Sequence, residues 1–276
     1  MVTRLEVWGD PIAHSRSPQL QLAAYRTLGL DWSYERRRVD EVSFDAQLGS
    51  LDDSFRGLSL TMPLKGVAFA AAVTRDRAAE LTGSVNTLLL AADGPHGFNT
   101  DAGGIARDLA ERGLDTPATA RIVGAGATAT SALVALGELG AREVEVVARR
   151  PEAAASLLDL GERLGMRVAV APLSADAFRS SDVTVSTLPG EAPLDPVAAE
   201  RLAAGGGLLY DVVYGHWPTA LARAWESRGG EAVWGLGMLL HQALLQVRVF
   251  TAGDPARPLP DEERVLEAMR AAVTGD

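Results

Sequence analysis

The sequence predicts an α/β protein in two units: an N-terminal α/β domain and a doubly wound parallel domain, with C-terminal helices packing back on the first. Three observations carry this prediction. Short apolar runs alternate with amphipathic helical patterns from end to end, which is the signature of βαβ units and mostly parallel sheets. One apolar run leads directly into a turn of the form G-x-G-x-x-A. The chain has 276 residues, enough for two medium domains at about 150 residues each.

Taken in order, Leu5–Trp8 reads as a first strand, followed by a polar loop. A helix opens at Ser17-Pro18, with Ser as N-cap and Pro at the first helical position, where a missing N–H leaves nothing unsatisfied. Strands follow at Tyr34–Val39, Gly57–Leu60 and Val85–Ala91, and helices at Leu64–Ala72, Asp76–Leu81 and Gly103–Glu111. The Gly, Pro and Thr content of Arg112–Thr119 marks a loop expected at the domain boundary. Beyond it, strands are expected at Ala120–Val123, Glu143–Val147, Arg167–Val170, Val183–Ser186, Gly207–Val212 and Glu231–Trp234. Helices at Ala127–Leu139, Glu152–Leu164, Asp195–Ala203 and Thr219–Ser227 separate them, an order that fits a doubly wound sheet. The last two helices, Leu236–Phe250 and Asp261–Val273, precede no further strand and are expected to return to the first domain. The division expected is 1–104, 105–235 and 236–276.

Composition excludes several functions. Lys plus Arg total 26 against 36 Asp plus Glu, a formal charge of −10, which disfavours general binding to nucleic acid or anionic membrane, because phosphate affinity comes from clustered cations. The chain has no cysteine, so disulfides, thiolate metal sites and a cysteine nucleophile are out. No apolar segment follows basic residues at the N-terminus, so neither a signal peptide nor a membrane span is expected, and the protein reads as cytoplasmic. His14 borders the first polar loop, and His96, His216 and His241 share no ligand spacing, so no metal is expected.

Lys65 is the single lysine, and Asn86 and Asn99 are the only asparagines. Compositional bias toward Ala, Arg and Gly explains the scarcity but not the survivors. Arg replaces Lys freely on a solvated surface, whereas an amine that must give up a proton cannot be an Arg. Lys65 is therefore a candidate for proton transfer.

The glycine turn is Gly124-Ala125-Gly126-Ala127-Thr128-Ala129, after the strand ending at Val123 and opening a helix. Gly124 permits the tight turn, Gly126 lets the backbone approach a pyrophosphate, and Ala129 keeps helix close to strand, as in a Rossmann dinucleotide site. About 20 residues on, an NAD site would carry an acidic residue for the ribose 2′-OH. Here the second strand ends in Ala148-Arg149-Arg150, and two guanidiniums favour a 2′-phosphate, hence NADP.

Four polar segments interrupt the first domain: His14–Pro18, Ser59–Lys65, Gly83–Thr87 and Gly97–Asp101. Each lies at a strand end or turn, where an α/β sheet can gather them at one edge. Individually, Ser17 reads equally as a helix cap, Asn86 as a turn residue and Asp101 as the N-cap of the next helix. Jointly they suit a small, hydroxyl-rich ligand.

These segments resemble those of the shikimate dehydrogenases, NADP-dependent enzymes that interconvert 3-dehydroshikimate and shikimate. The matches run in order: G-D-P-I-A-H-S-R-S-P from Gly9, L-T-M-P-L-K from Leu60, G-S-V-N-T-L from Gly83, N-T-D from Asn99, V-G-A-G-A-T-A from Val123, Y-D-V-V-Y-G-H-W-P-T from Tyr210 and G-L-G-M-L-L-H-Q-A from Gly235. The resemblance implies that Ser15 and Ser17 bind the substrate carboxylate, that Thr61, Asn86 and Gln242 bind ring hydroxyls, that Tyr214 completes the pocket, and that Lys65 and Asp101 are the catalytic pair. It implies NADP as cofactor, and a monomer or homodimer. The chain departs from the family's common residues at Ser59, at Gln21-Leu22, at Ala148-Arg149-Arg150 and at Ser186, none of them a residue to which the resemblance gives catalysis or substrate. Rivals are a quinate or aminoshikimate dehydrogenase of the same family, a folate dehydrogenase, which the paired serines and N-T-D argue against, and a silent NADP-binding regulator, which Lys65 and Asp101 argue against.

Overall fold

The structure, a computed structural model, describes residues 2–215 and 217–275; His216 lies outside the described residues. The chain divides into two compact units, Met1–Gly104 with Leu240–Asp276 and, between them in sequence, Ile105–Leu239.

The first unit contains β1 (Thr3–Gly9), α1 (Ser17–Leu28), β2 (Trp32–Arg38), α2 (Phe44–Gly49), β3 (Phe55–Leu60), α3 (Lys65–Ala71), β4 (Thr74–Arg75), α4 (Arg77–Thr82), β5 (Thr87–Ala91) and β6 (Gly94–Phe98), followed by the start of α5 (Thr100–Glu111). Its sheet runs β2-β1-β3-β5-β6-β4. β1 pairs in parallel with β2 and β3, whereas β5 is antiparallel to both β3 and β6. One face buries Trp8, Phe44, Leu58, Leu60, Leu64, Val85 and Leu88 together. The β5–β6 hairpin was not foreseen, because Gly94-Pro95-His96-Gly97 reads as a turn rather than a strand. α2 and the two-residue β4 were not foreseen either.

The second unit contains β7 (Thr119–Val123), α6 (Ala127–Glu138), β8 (Glu143–Ala148), a single 3₁₀ turn (Pro151–Ala154), α7 (Ala155–Leu164), β9 (Arg167–Pro172), β10 (Val183–Ser186), α8 (Pro196–Ala203), β11 (Leu208–Asp211), α9 (Ala220–Ser227) and β12 (Ala232–Val233). Its sheet order is β12-β11-β10-β7-β8-β9, parallel throughout. Read from β9, this is the 3-2-1-4-5-6 order of the Rossmann fold. Right-handed crossovers place α6 and α7 on one face and α8 and α9 on the other, and within each pair the two helices touch. All four residues of β10 are buried, as expected for a strand covered on both faces. The division between units falls inside α5, so the polar loop 112–119 lies within the second unit.

α10 (Leu236–Ala252) and α11 (Glu262–Thr274) close the chain. Gly57 explains how α10 reaches the first sheet: a Cβ there would stand 2.6 Å from the Phe250 ring, so only hydrogen at this position admits that ring. Arg56 Nε donates to the Phe250 carbonyl at 2.9 Å. α11 lies against α1, and Arg16 donates to the carbonyl of Val273 at 3.1 Å. Among the described residues no helix is long and apolar enough to cross a membrane.

Candidate active site

Lys65 opens α3, just after a turn that the Leu64 amide closes on the Thr61 carbonyl at 2.8 Å. Asp101 is the second residue of α5. They are 36 residues apart, yet Lys65 Nζ donates to Asp101 Oδ2 at 2.6 Å. The side chains are 18% and 7% exposed, so the pair is shielded but open on the lysine side. Asp101 is not the cap of its helix. Asn99 is: its Oδ1 accepts from the amides of Asp101 at 3.0 Å and Ala102 at 3.3 Å, and its Nδ2 donates to Thr82 Oγ1 at 2.9 Å and the Ser84 carbonyl at 3.1 Å. With Asn99 satisfying the first-turn amides, the Asp101 carboxylate is left for Lys65.

Asn86 holds the other carboxylate oxygen. Its Nδ2 donates to Asp101 Oδ1 at 2.8 Å and Thr100 Oγ1 at 2.9 Å, while its Oδ1 accepts from the Thr100 amide and Thr87 Oγ1, each at 2.9 Å. A primary amide has two N–H donors and two acceptor lone pairs, so all four are engaged, in a residue only 2% exposed. Asn86 thus orients Asp101 in this structure, and a bond from it to a ring hydroxyl would have to exchange with one already made.

Ser15 Oγ donates to Ser17 Oγ at 3.2 Å, and the Ser17 amide donates to Ser15 Oγ at 3.3 Å, so the two hydroxyls form one cluster. Ser17 is the first helical residue and Arg16 the N-cap, with no side-chain capping bond; the cap expected at Ser17 is therefore not made. Thr61 packs its methyl on Gly9, where a Cβ would lie 2.4 Å from Thr61 Cγ2, and its amide bonds the Trp8 carbonyl at 3.0 Å. Gln242 is buried on α10, one turn before Gln246 and on the same helix face.

Gln246 carried no signal in the sequence. Buried at 2% exposure, it accepts at Oε1 from Ser59 Oγ at 2.9 Å and Gln21 Nε2 at 3.2 Å, and donates from Nε2 to the Asn86 carbonyl at 3.2 Å and Thr87 Oγ1 at 3.1 Å. Gln21 Nε2 also bonds the Ala243 carbonyl at 3.3 Å. Ser59 and Gln21, two of the positions where the chain departs from common family residues, are therefore partners of one α10 glutamine.

In the second unit, the glycine turn and the two arginines meet. A cavity of about 290 Å³ is lined by Gly124, Ala125, Gly126, Arg149, Arg150 and Ala153, among others. Gly124 has φ +119°, and a Cβ there would lie 2.3 Å from Thr187 Oγ1, so the position demands glycine. Nothing lies within 4 Å of a Cβ built on Gly126. Gly126 caps α6 without a side-chain bond; the Ala129 amide bonds the Gly126 carbonyl at 2.9 Å, and an uncapped first turn of this kind is the arrangement that accepts a phosphate. Ala127 and Thr128 form that first turn, and Ala129 is fully buried against the strands. Arg149 and Arg150 are exposed and form no ion pair among the described residues. Thr187, whose hydroxyl donates to the Val123 carbonyl at 3.1 Å, stands behind Gly124, and nothing in the sequence singled it out.

Tyr214 lies on the segment after β11. Asp211 fastens both ends of that segment: Oδ1 accepts from the Val213 amide at 3.2 Å and Oδ2 from Thr219 Oγ1 at 2.8 Å. Burial raises the Asp211 pKa from its ordinary 3.8, against the lowering effect of these hydrogen bonds.

The profile of the shikimate dehydrogenase substrate binding domain matches residues 7–88. The NADP(+) shikimate dehydrogenase of Anaeromyxobacter dehalogenans is 39% identical, covering 96% of each chain. The crystal structure of Mycobacterium tuberculosis shikimate dehydrogenase superposes with a TM-score of 0.84 at 40% identity, over 98% of this chain and 99% of that one. Shikimate 5-dehydrogenase from Thermus thermophilus, solved in complex with NADP(H) and shikimate, gives a TM-score of 0.80 at 32% identity, over 99% of this chain and all of that one. By sequence over nearly its whole length and by fold, the chain belongs to the shikimate dehydrogenase family.

Proposed function

We propose that this chain catalyses the reversible NADP-dependent reduction of 3-dehydroshikimate to shikimate. The observation that carries the reading is the Lys65–Asp101 pair at 2.6 Å, with Asn86 on the other carboxylate oxygen and the serine pair in the same unit of a family member. We assign substrate binding to that unit and NADP binding to the second, where the uncapped α6 terminus and two unpaired arginines suit a pyrophosphate and a 2′-phosphate.

NADPH, when bound, supplies a hydride to the C3 carbonyl of the substrate. Lys65 Nζ stabilises the negative charge developing on that oxygen and donates a proton to it. Asp101 accepts from Nζ and fixes the ammonium in place, while Asn86 sets the carboxylate's orientation. Ser15 and Ser17 receive the substrate carboxylate, and Thr61 and Gln242 the ring hydroxyls; the role of Tyr214 rests on family resemblance. Gly124 to Ala129 hold the cofactor's diphosphate and Arg149 and Arg150 its 2′-phosphate. The reading carries with it a cytoplasmic enzyme, monomeric or homodimeric.

The test is a spectrophotometric assay of shikimate and of quinate, each with NADP⁺ and NAD⁺. NADPH formation with shikimate, at a kcat/KM well above the other three combinations, is expected. Turnover of quinate alone, or none with tight NADP⁺ binding, would replace this reading by one of its rivals.

A further inference from the structure

β2 carries three consecutive arginines, Arg36 to Arg38, and strand alternation sends Arg37 to one face of the sheet and Arg36 and Arg38 to the other. Arg37 is engaged with Glu6, Nη2 to Oε1 at 2.8 Å and Nε to Oε2 at 2.7 Å. Arg38 is engaged with Asp10, Nε to Oδ1 at 2.8 Å and Nη2 to Oδ2 at 3.2 Å. Arg36 differs. Its Nε donates to the Ser15 carbonyl at 2.9 Å, Nη2 donates to the same oxygen, and Nη2 also reaches Gln19 Oε1 at 3.2 Å. These acceptors are all neutral, and among the described residues Arg36 forms no ion pair.

Two other cations of the first unit are already engaged. Lys65 faces Asp101. Arg16, between the serines, is turned to the Val273 carbonyl at the C-terminal end of α11, where the helix dipole offsets its charge. The hydroxyls of Ser15 and Ser17 can donate hydrogen bonds to a carboxylate but bring no charge, in a chain of net charge −10.

We propose that Arg36 is the residue that makes the serine pair select an anion: it positions Ser15 through its main-chain carbonyl and supplies the positive potential that the two hydroxyls lack. This rests on the reading of Ser15 and Ser17 as the carboxylate subsite. Arg36 is placed to touch neither substrate nor cofactor, so it acts through Ser15 and through space. An exposed guanidinium acts through a high dielectric, so its effect is moderate and salt-sensitive.

The experiment uses the full chain and begins with wild-type turnover of shikimate with NADP⁺; failure at that step refutes the functional reading and takes the inference with it. Given turnover, Arg36→Gln and Arg36→Lys are compared with wild type on shikimate and on shikimate methyl ester, which keeps the ring and loses the charge. Arg36→Gln is expected to lower the acid-over-ester ratio of kcat/KM by about three- to tenfold, the range of one partly solvated charge interaction. That loss should sit in KM for the acid, with kcat and the KM of NADP⁺ unchanged. Raising salt from roughly 20 mM to roughly 500 mM should shrink the difference between the two proteins, and Arg36→Lys should recover part of the ratio. An equal loss for acid and ester would reduce Arg36 to a purely structural clamp, and an unchanged KM for shikimate would remove it altogether; either result overturns the proposal.

Discussion

Replacing Gln246 by Leu tests whether α10 is joined to the first sheet by a polar tie or by apolar packing alone. The side chain makes four hydrogen bonds in a site 2% exposed. Its partners lose unequally. The Asn86 carbonyl still accepts from the Leu60 amide at 2.7 Å, Thr87 Oγ1 still donates to Asn86 Oδ1 at 2.9 Å, and Gln21 Nε2 keeps the Ala243 carbonyl at 3.3 Å. Ser59 Oγ, whose bond to Gln246 is the shortest of the four at 2.9 Å, loses most. Charging about 1–3 kcal/mol for the stranded hydroxyl and roughly 0.5 kcal/mol for each of the three weakened partners, less about 1 kcal/mol regained by the apolar leucine, gives a net loss of about 1.5–3.5 kcal/mol. For a chain of this size that is a fall in Tm of roughly 3–14 °C. Urea unfolding followed by circular dichroism measures it, and a double-mutant cycle with Ser59→Ala isolates the central bond. The cycle should show a coupling of about 1 kcal/mol or more, because Ser59→Ala removes the stranded hydroxyl and so costs less in the Gln246→Leu background. A Tm within about 2 °C of wild type, or a coupling of zero, would refute the polar tie.

Three further outcomes are expected. Lys65→Arg and Asp101→Asn should each depress kcat by about 10²- to 10⁴-fold, the range of general acid–base catalysis, while leaving the dissociation constant of NADPH, read by fluorescence titration, near wild type; Lys65→Arg preserves the charge but not a transferable proton. Arg149→Ala combined with Arg150→Ala should raise the KM of NADP⁺ by about 10- to 100-fold, the loss of one to two charge-assisted hydrogen bonds, with the KM of NAD⁺ unmoved in the same assay. Asp211, whose pKa is raised by burial, binds its proton more tightly folded than unfolded, so its contribution to stability declines as pH rises from its unfolded value through its native one. Urea midpoints across that window should therefore fall less steeply with pH in Asp211→Asn than in wild type, and identical slopes would show that the carboxylate is not the source.

The second unit was the more legible, because a parallel sheet buried on both faces leaves continuous apolar runs, and β10 at Val183–Ser186 starts and stops where the sequence places it. The first unit was less so. Four of the five residues of β6, Gly94, Pro95, His96 and Gly97, have no strand preference and are held by pairing with β5. Helix starts misled for a related reason: Ser17 and Asp101 have capping side chains, but whether a side chain caps depends on what else competes for it. The hydroxyl of Ser17 is taken by Ser15, and Asn99 reaches the α5 amides first. The four polar segments of the site were legible as interruptions of apolar pattern. The contacts among them were not, since Lys65 and Asp101 lie 36 residues apart and Gln246 reaches Ser59 across 187. Only the fold supplies those distances.

The distribution of charge ties these observations together. A chain of net charge −10 repels an anionic substrate and an anionic cofactor at long range, and ionic screening beyond about 10 Å limits that repulsion at moderate salt. What matters close in is which cations lack a carboxylate. Lys65 has one, so it does little to attract an anion, and the proposed reading gives it its work at the reacting oxygen. Among the described residues, Arg149 and Arg150 in the second unit and Arg36 in the first have none. On the proposed reading, guanidiniums without an ion pair among the described residues stand where phosphates and a carboxylate would be received, and the one lysine stands where a proton would move. That division of labour follows from the chemistry of the two groups: a guanidinium stays charged and can offer planar, paired donors to an oxyanion, whereas only the amine can exchange its proton in the working pH range. In a chain with a single lysine, attraction and proton transfer are thus assigned to different residue types, and substitution of one type by the other should separate KM from kcat at each position.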